Sequence, residues 1–252
     1  MNTNRFDGHA DAYTLGRPDY AEELIDCLYD RYGISPSSVI ADIGSGTGKF
    51  SKHLLDRGSM VYSVEPNDDM RLMAEKELSG YPNFRSIKGN AEHTSLQAGS
   101  VDFVTTAQAF HWFDVDSFRK ECTRILKDVG KVILIWNIRD EADPVNRRLF
   151  DVYSEYCPEF KGFGGGIVKD DQRIKDFYCG NYEYILFDHP LNFDKDMFIS
   201  RSLSASYSLK GYDMKYKEYL DAVTAVFDRY SEKGIVTIGN HSVAYIGGVR
   251  KH

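Results

Sequence analysis

The chain has 252 residues, of which 42% are hydrophobic and 27% are charged, as in a folded protein with a substantial core. Its formal net charge of −7 argues against nucleic acid as a partner, because affinity for polyanions depends on cationic side chains. The four cysteines form no closely spaced pair, and the N-terminus has no apolar stretch resembling a signal peptide. We therefore expect a soluble cytoplasmic protein that has no metal site and does not contact membranes.

The first half of the chain alternates short apolar segments with amphipathic ones. A helix is predicted at residues 19–32, where Asp19 and Glu22 have the spacing of a capping box. Strand–helix repeats with short links predict right-handed crossovers and a mostly parallel sheet with helices on both faces. The predicted elements that follow are strands at 39–43, 60–65, 84–88, 101–106 and 131–138, and helices at 47–57, 67–78 and after Asp114.

The pattern changes after residue 139. Helices are predicted at 144–156 and 213–230, and strand-like alternation at 182–187 and 236–249 predicts an antiparallel pair at the sheet edge. We interpret the whole chain, 1–252, as one α/β domain carrying a small helical cap. Its predicted parts are an N-terminal cover at 1–35, a core at 36–140, cap insertions at 141–180 and 194–212, and C-terminal strands and a helix at 181–193 and 213–252.

A glycine-rich loop joins the first predicted strand to the next helix, in the sequence ADIGSGTGKFSKHLL at residues 41–55. A phosphate loop of the G-x4-G-K-[ST] type does not fit, because Phe50 replaces the required hydroxyl residue and Ile43 replaces the first glycine. The dinucleotide pattern G-x-G-x-x-G has Lys49 where its third glycine belongs. Glu65, at the end of the second strand, suits the ribose of NAD and of other adenosyl cofactors equally well.

Two later segments separate these possibilities. Residues 88–96 are KGNAEHTSL, and residues 101–114 are VDFVTTAQAFHWFD. With the D-x-G-x-G-x-G loop and the acid ending strand two, they resemble, in the correct order, the core of the class I S-adenosylmethionine-dependent methyltransferases. Within this class the chain is similar to the type-11 and trans-aconitate-methyltransferase-like group, whose N-terminal cover resembles the opening FDGHADAYTLGRPDY. The resemblance implies a Rossmann-like sheet, S-adenosylmethionine as cofactor and a small molecule as methyl acceptor.

The resemblance also implies a cofactor site along the strand ends. Glu65 would hold the ribose, Arg17 would pair with the carboxylate of the cofactor, and Asn90 replaces the usual aspartate that binds the adenine amino group. The implied cofactor-binding residues are Tyr13, Arg17, Asp42, Gly44, Ser45, Gly46, Gly48, Glu65, Pro66, Met70, Asn90, Ala91, Glu92 and Gln108.

The chemistry that the resemblance implies requires little of the protein beyond positioning, because the sulfonium already activates the methyl group. A hydroxyl acceptor would also need a base, for which His111 is the candidate, whereas a carboxylate acceptor would need none. Trp112 and Arg139 are the candidate acceptor-binding residues.

Three other functions share parts of this pattern. An NAD-dependent oxidoreductase would share the sheet and Glu65, but Lys49 and the AQAFHWFD segment count against it. A nucleic-acid methyltransferase would share the cofactor site, but AQAF stands where an N-P-P-Y-like motif belongs. A non-catalytic S-adenosylmethionine-binding protein would use the same pocket, so it stays open as an alternative.

Overall fold

The computed structural model describes residues 18–163, 171–205 and 207–250, and a seven-stranded sheet forms the centre of this part of the chain. The strands are β1 (Val39–Ile43), β2 (Met60–Glu65), β3 (Phe84–Lys88), β4 (Val101–Ala107), β5 (Leu126–Arg139), β6 (Glu183–Asp188), β7 (Leu191–Phe193), β8 (Val236–Ile238) and β9 (Asn240–Gly247). The sheet order is β3-β2-β1-β4-β5-β9-β6. Strands β1 to β5 are parallel, while β9 runs antiparallel to both β5 and β6. The predicted fold, a mostly parallel sheet with an antiparallel pair at one edge, is confirmed.

Helices cover both faces of the sheet. The helices formed by the described residues, including those of the cap, are α1 (Glu22–Asp30), α2 (Lys49–Asp56), α3 (Asp68–Glu77), α4 (Val115–Ile125), α5 (Pro144–Tyr156), α6 (Gln172–Tyr178), α7 (Lys195–Ser204) and α8 (Tyr216–Tyr230). Leu24 of α1 and Leu54 of α2 pack on one face, and Phe118 of α4 and Phe177 of α6 pack on the other. No helix in the described ranges is both long and apolar enough to cross a membrane.

The first helix begins later than its capping-box spacing predicts. Helix α1 starts at Glu22, and no side chain caps its N-terminus. The carboxylate of Asp19 accepts the backbone N–H of Tyr20 at 3.0 Å and lies 2.7 Å from Nε2 of His53. Asp19 therefore connects the segment before α1 to α2 instead of capping a helix.

The last predicted strand is divided in two. Gly239 separates β8 from β9, and a Cβ atom at this position would lie 2.8 Å from the Cβ of Asp143. Its carbonyl oxygen accepts the N–H of Asp140 at 3.1 Å and Nδ2 of Asn146 at 2.7 Å. The backbone therefore departs from strand geometry at Gly239, where it is hydrogen-bonded to the segment that follows β5.

Besides the hydrophobic clusters on the two faces of the sheet, a further cluster lies outside it. It joins Leu149 of α5, Phe198 of α7 and Val223 of α8 with the two-stranded ribbon β7–β8. The predicted cap differs from this cluster in two respects. Helix α6 packs on the sheet instead, because Phe177 stacks on Phe118 at 5.3 Å between ring centroids, and α8 packs with the cap.

Candidate functional site

A cleft opens at the carboxyl ends of β1 and β4. From these neighbouring strands the chain continues toward opposite edges of the sheet. Open α/β sheets bind ligands at such a switch point. The cleft is narrow, with a cavity volume of about 60 Å³ when the open solvent at its mouth is not counted. Its lining residues are Pro18, Tyr20, Asp42, Gly44, Ser45, Gly46, Thr47, Lys49, Phe50, Ala107, Gln108 and Asn137.

The glycine-rich loop forms the floor of this cleft. Gly44, Gly46 and Gly48 have φ angles of +67°, +57° and +79°, in the left-handed region that favours glycine. A Cβ atom at Gly44 would lie 2.7 Å from the Cβ of Ala109, whereas in the described part of the chain only atoms of the chain neighbours lie within 4 Å of a Cβ placed at Gly46. The loop is therefore closely packed beneath Gly44 and open above Gly46.

Asp42 supports this loop from below. It is 0% exposed, and its two oxygens accept hydrogen bonds from Oγ of Ser51 at 2.6 Å and Oγ1 of Thr105 at 2.9 Å. Burial raises the pKa of Asp42 to about 6, although these two hydroxyls oppose the shift. Asp42 thus joins β1 to α2 and β4, and it orients the base of the loop.

The raised pKa of Asp42 predicts a specific pH dependence of stability. Because the folded form binds a proton more tightly than the unfolded form, this group contributes stability below about pH 4 that is lost as pH rises through 6. The difference between 3.8 and about 6 corresponds to about 3 kcal/mol. Over this pH range, the free energy of unfolding of the unmodified protein should fall by about that amount relative to Asp42→Asn.

Urea denaturation of both proteins between pH 4 and pH 7 measures this difference. The matched control is Asp116→Asn, an exposed carboxylate on α4, which should follow the pH dependence of the unmodified protein. Parallel curves for Asp42→Asn and the unmodified protein would contradict the assignment.

Glu65 faces the glycine-rich loop from the end of β2. It is 8% exposed, its Oε2 accepts the backbone N–H of Gly46 at 2.9 Å, and its Oε1 accepts the N–H of Asn67 at 2.9 Å. Burial raises the pKa of Glu65, while the two N–H groups lower it. Each oxygen keeps a further lone pair, so the carboxylate can also accept two ligand hydroxyls.

The residues after Glu65 form the start of α3. Asn67 caps this helix, because its Oδ1 accepts the backbone N–H of Met70 at 3.0 Å. Met70 is buried and Pro66 is half-buried. Pro66 and Met70, two of the predicted cofactor-binding residues, therefore follow Glu65 at the same end of the sheet.

A short turn after β3 carries the predicted cofactor-binding residues Asn90, Ala91 and Glu92, of which Asn90 was expected to bind the adenine amino group. Oδ1 of Asn90 accepts the N–H of His93 at 2.7 Å, and Ala91 is buried. Oε1 of Glu92 accepts the backbone N–H of Asp114 at 3.0 Å, so Glu92 connects this turn to the N-terminus of α4. The turn is thus held in place before any ligand arrives.

The sequence analysis did not identify the buried carboxylate that binds this turn. Glu121 on α4 is buried, and its Oε1 accepts the backbone N–H of Thr94 at 2.8 Å and Oγ1 of Thr94 at 2.5 Å. Although burial opposes it, hydrogen bonds from Arg124 and Thr94 lower the pKa of Glu121 to about 2. An acidic residue at an inward-facing helix position was the available sequence signal.

The wall of the cleft opposite the loop comes from β4 and β5. Gln108, just past β4, has a φ of +59°, and its Nε2 donates to the carbonyl of Asn137 at 3.2 Å. Oδ1 of Asn137 accepts Oγ of Ser242 at 2.6 Å, and its Nδ2 donates to the carbonyl of Asp19 at 2.8 Å. Asn137 was also missed, although it is a polar residue at the end of an apolar strand.

The predicted catalytic and acceptor-binding residues lie outside the cleft lining. The ring of His111 lies 4.7 Å from that of Trp112 in the 3-10 turn after β4, and Trp112 is 47% exposed. Arg139 ends β5, where Cζ of its guanidinium lies 4.2 Å from the ring centroid of Phe163. The predicted residues Tyr13 and Arg17 lie outside the described residues.

Two further predictions can be compared with the site. Gly48 packs under the loop, where its Cβ would lie 2.6 Å from Cδ1 of Leu78, so its contribution is to backbone geometry. Within residues 18–163, 171–205 and 207–250, no group of three or more His, Cys, Asp or Glu side chains could hold a metal ion.

Comparison with known proteins identifies similar sequences and folds. Residues 41–134 match the family model of a methyltransferase domain. An uncharacterised methyltransferase of Mycobacterium tuberculosis is 38% identical over 130 residues, covering 52% of this chain and 51% of its own. An uncharacterised methyltransferase-like protein of Schizosaccharomyces pombe is 32% identical over 152 residues, covering 60% of this chain and 58% of its own. The chain thus spans about half the length of the curated relatives it matches.

Solved structures share the fold at lower identity. A protein assigned as a methyltransferase from an antibiotic biosynthesis pathway of Anabaena variabilis has a TM-score of 0.64 and 22% identity, covering 91% of this chain and 98% of its own. A protein assigned as a type II methyltransferase from Anaeromyxobacter dehalogenans has a TM-score of 0.63 and 19% identity, covering 94% and 99%. These similarities extend the shared fold beyond the segment matched by the family model.

Proposed function

Residues 41–134 form a class I S-adenosylmethionine-dependent methyltransferase domain, with S-adenosylmethionine as its cofactor, and from this premise we propose that the chain methylates a small-molecule acceptor. One observation carries the proposal. The carboxylate of Glu65 is directed at the N–H of Gly46, beside an open cleft at the switch point of the sheet. This arrangement suits a ribose with two hydroxyls, held next to a backbone that approaches the ligand closely.

The residues of the cleft fit this cofactor. Among the described residues, no atom other than those of its chain neighbours lies within 4 Å of a Cβ placed at Gly46, and Oγ of Ser45 is buried without a hydrogen-bond partner. A buried hydroxyl left in this state costs free energy that a polar ligand would recover. We propose that Ser45 and Gln108 face the methionine part of the cofactor, and that Asn90 and Met70 border the adenine.

The mechanism follows from positioning. When bound, S-adenosylmethionine supplies a methyl group already activated by its sulfonium. The role of the chain is to hold acceptor and methyl group in line and to exclude water, for which the half-exposed Trp112 and the guanidinium of Arg139 are the proposed acceptor contacts. The four cysteines are free, and we propose a reducing cytoplasm as the location.

Calorimetric titration with S-adenosylmethionine and with NAD tests the cofactor assignment. We expect saturable binding of the first compound and none of the second. Incubation with methyl-labelled S-adenosylmethionine and a panel of small acids, phenols and amines, followed by mass spectrometry, then tests for transfer. Binding without product on any acceptor would indicate a binding protein, and binding of NAD alone would overturn the proposal.

His111 is the proposed base when the acceptor is a hydroxyl. With such an acceptor, His111→Gln should lower kcat by about 100-fold or more, because general base catalysis contributes at least that factor. The affinity for S-adenosylmethionine should stay unchanged, and the loss of kcat toward acidic pH that a protonatable base causes should disappear. The control His189→Gln removes a histidine between β6 and β7, away from the cleft, and should retain full activity. Unchanged turnover in His111→Gln would remove His111 from the mechanism.

A further inference from the structure

Two arginines border the same hydrophobic cluster of the cap, near the end of β5. Arg139 is the last residue of β5, its Nη1 donates to Oδ1 of Asn146 at 3.0 Å, and its guanidinium lies over the ring of Phe163. Arg201 lies on α7, with Cζ at 5.0 Å from the ring centroid of Phe193. Burial, together with the positive charge of Arg139, lowers the pKa of Arg201 to about 10. The two guanidinium groups therefore repel each other inside a partly desolvated region.

No carboxylate in the described part of the chain forms an ion pair with either arginine. Nε of Arg201 is buried without a hydrogen-bond partner there, and its terminal nitrogens donate none of the hydrogen bonds recorded among the same residues. Arg57 shows the usual arrangement, because this partly buried side chain pairs with both Glu22 and Asp26. The guanidinium of Arg201 differs from that of Arg57, because no acceptor among the described residues binds its N–H groups.

This arrangement is unfavourable for the protein alone. Burying a charge without a partner costs free energy, and a second positive charge nearby adds to that cost. The contacts with Phe163 and Phe193 compensate only in part, because a cation–π contact supplies no hydrogen-bond acceptor for the guanidinium. An anion placed between the two guanidinium groups would remove both penalties.

The side chains around the two arginines indicate which chemical groups the rest of such a ligand would have. The ring of Phe163 next to Arg139 lies 5.9 Å from the ring of Tyr153, and Tyr153, Tyr207 and Phe193 pack in the same hydrophobic cluster. The rings of Tyr153 and Tyr207 are 5.3 Å apart, and Phe160 lies 4.8 Å from Tyr207. The region therefore combines cationic donors with an aromatic wall, which suits an anionic group on an apolar or aromatic body.

The arginines lie on the cleft side of the sheet. Asn137 lines the cleft, and Arg139 follows it by two residues on the same strand. Successive side chains of a strand alternate between faces, so Arg139 and Asn137 share a face and are separated by about 7 Å along the strand. A small molecule anchored at the arginines can therefore extend toward the cleft.

We propose that Arg139 and Arg201 form an anion-binding subsite that anchors a carboxylate of the methyl acceptor. The planar fork of a guanidinium can bind both oxygens of a carboxylate. This inference rests on the proposed methyl transfer, and it adds Arg201 as a specificity-determining residue.

Ligand-induced thermal stabilisation in the presence of S-adenosylhomocysteine tests the subsite at constant ionic strength. The probes are benzoate, phenylacetate, octanoate and succinate, each compared with its primary amide, together with phenyl phosphate. We expect at least one carboxylate to raise the melting temperature while its amide does not. Equal effects of acids and amides, or no effect of any acid, would overturn the proposal, as would a larger effect of phenyl phosphate than of every carboxylate.

The variant Arg201→Gln identifies the residue responsible. Its affinity for the stabilising acid should fall by about tenfold or more, as expected for losing a charged hydrogen bond. Its melting temperature without acid should equal or exceed that of the unmodified protein, because an unpaired buried charge is removed. The control Arg229→Gln, an exposed arginine on α8 with its own cation–π contact, should bind the acid normally.

Unchanged acid affinity in Arg201→Gln would contradict the assignment to Arg201. If the melting temperature fell at the same time, the role of Arg201 would be structural. Failure of S-adenosylhomocysteine to bind the unmodified protein would instead contradict the proposed function itself. The two proposals therefore fail separately.

Discussion

Replacing Glu65 with alanine is expected to weaken the binding of S-adenosylmethionine by about 100-fold or more. Two charge-assisted hydrogen bonds to ribose hydroxyls would be lost, each contributing about 1.5–3 kcal/mol. The N–H groups of Gly46 and Asn67 would lose their acceptor as well, so the loop would be less well ordered before binding. Isothermal titration calorimetry measures the change in affinity, and circular dichroism during heating shows whether the fold persists.

The charge and the geometry of Glu65 can be separated. Glu65→Gln keeps one acceptor oxygen but directs an amide N–H₂ group at the backbone N–H of either Gly46 or Asn67, so we expect an intermediate loss of about tenfold. The control Glu77→Gln neutralises an exposed carboxylate at the end of α3 and should not change affinity. If Glu65→Ala bound the cofactor within about threefold of the unmodified protein, the proposed ribose contact would be wrong.

The central sheet could be predicted because its strands are short, apolar and separated by clear turn signals. Strand β2 and helix α5 have the predicted bounds, and Asn67 and Asp114 cap the helices predicted to follow them. The start of β5 was missed, because Leu126 continues directly from α4 and pairs with Val101 before the register shifts. Local periodicity contains no information about such pairing between distant segments.

The site was predictable wherever one segment contains the whole signal, and much less so where distant residues meet. The glycine-rich loop and Glu65 come together as the motif predicts. The bond between Thr94 and Glu121 spans 27 positions, and nothing local to either residue indicates the other. Arg201 and Arg139 likewise border the same cluster only because the cap helix α7 packs in it.

The glycines of the loop provide the second large effect, because their structural and ligand-binding roles should separate. A left-handed φ costs an alanine about 1–2 kcal/mol at Gly44 and at Gly46 alike. At Gly44 the new Cβ would also meet Ala109 at 2.7 Å and Phe113 at 3.1 Å, which adds about 1–3 kcal/mol of overpacking. Gly44→Ala should therefore lose about 2–5 kcal/mol of unfolding free energy, and Gly46→Ala only about 1–2 kcal/mol.

Cofactor affinity should show a different dependence on position. The Cβ of Gly46→Ala would project into the open part of the cleft, beside the carboxylate of Glu65, so affinity for S-adenosylmethionine should fall by about tenfold or more while the protein stays folded. Gly33→Ala is the matched control, because Gly33 has a φ of +85° and equally open surroundings but lies between α1 and β1, outside the cleft lining. Urea denaturation and calorimetry of the three variants measure both quantities. Equal losses of affinity in Gly46→Ala and Gly33→Ala would mean that strain, and not occupation of the cleft, determines binding.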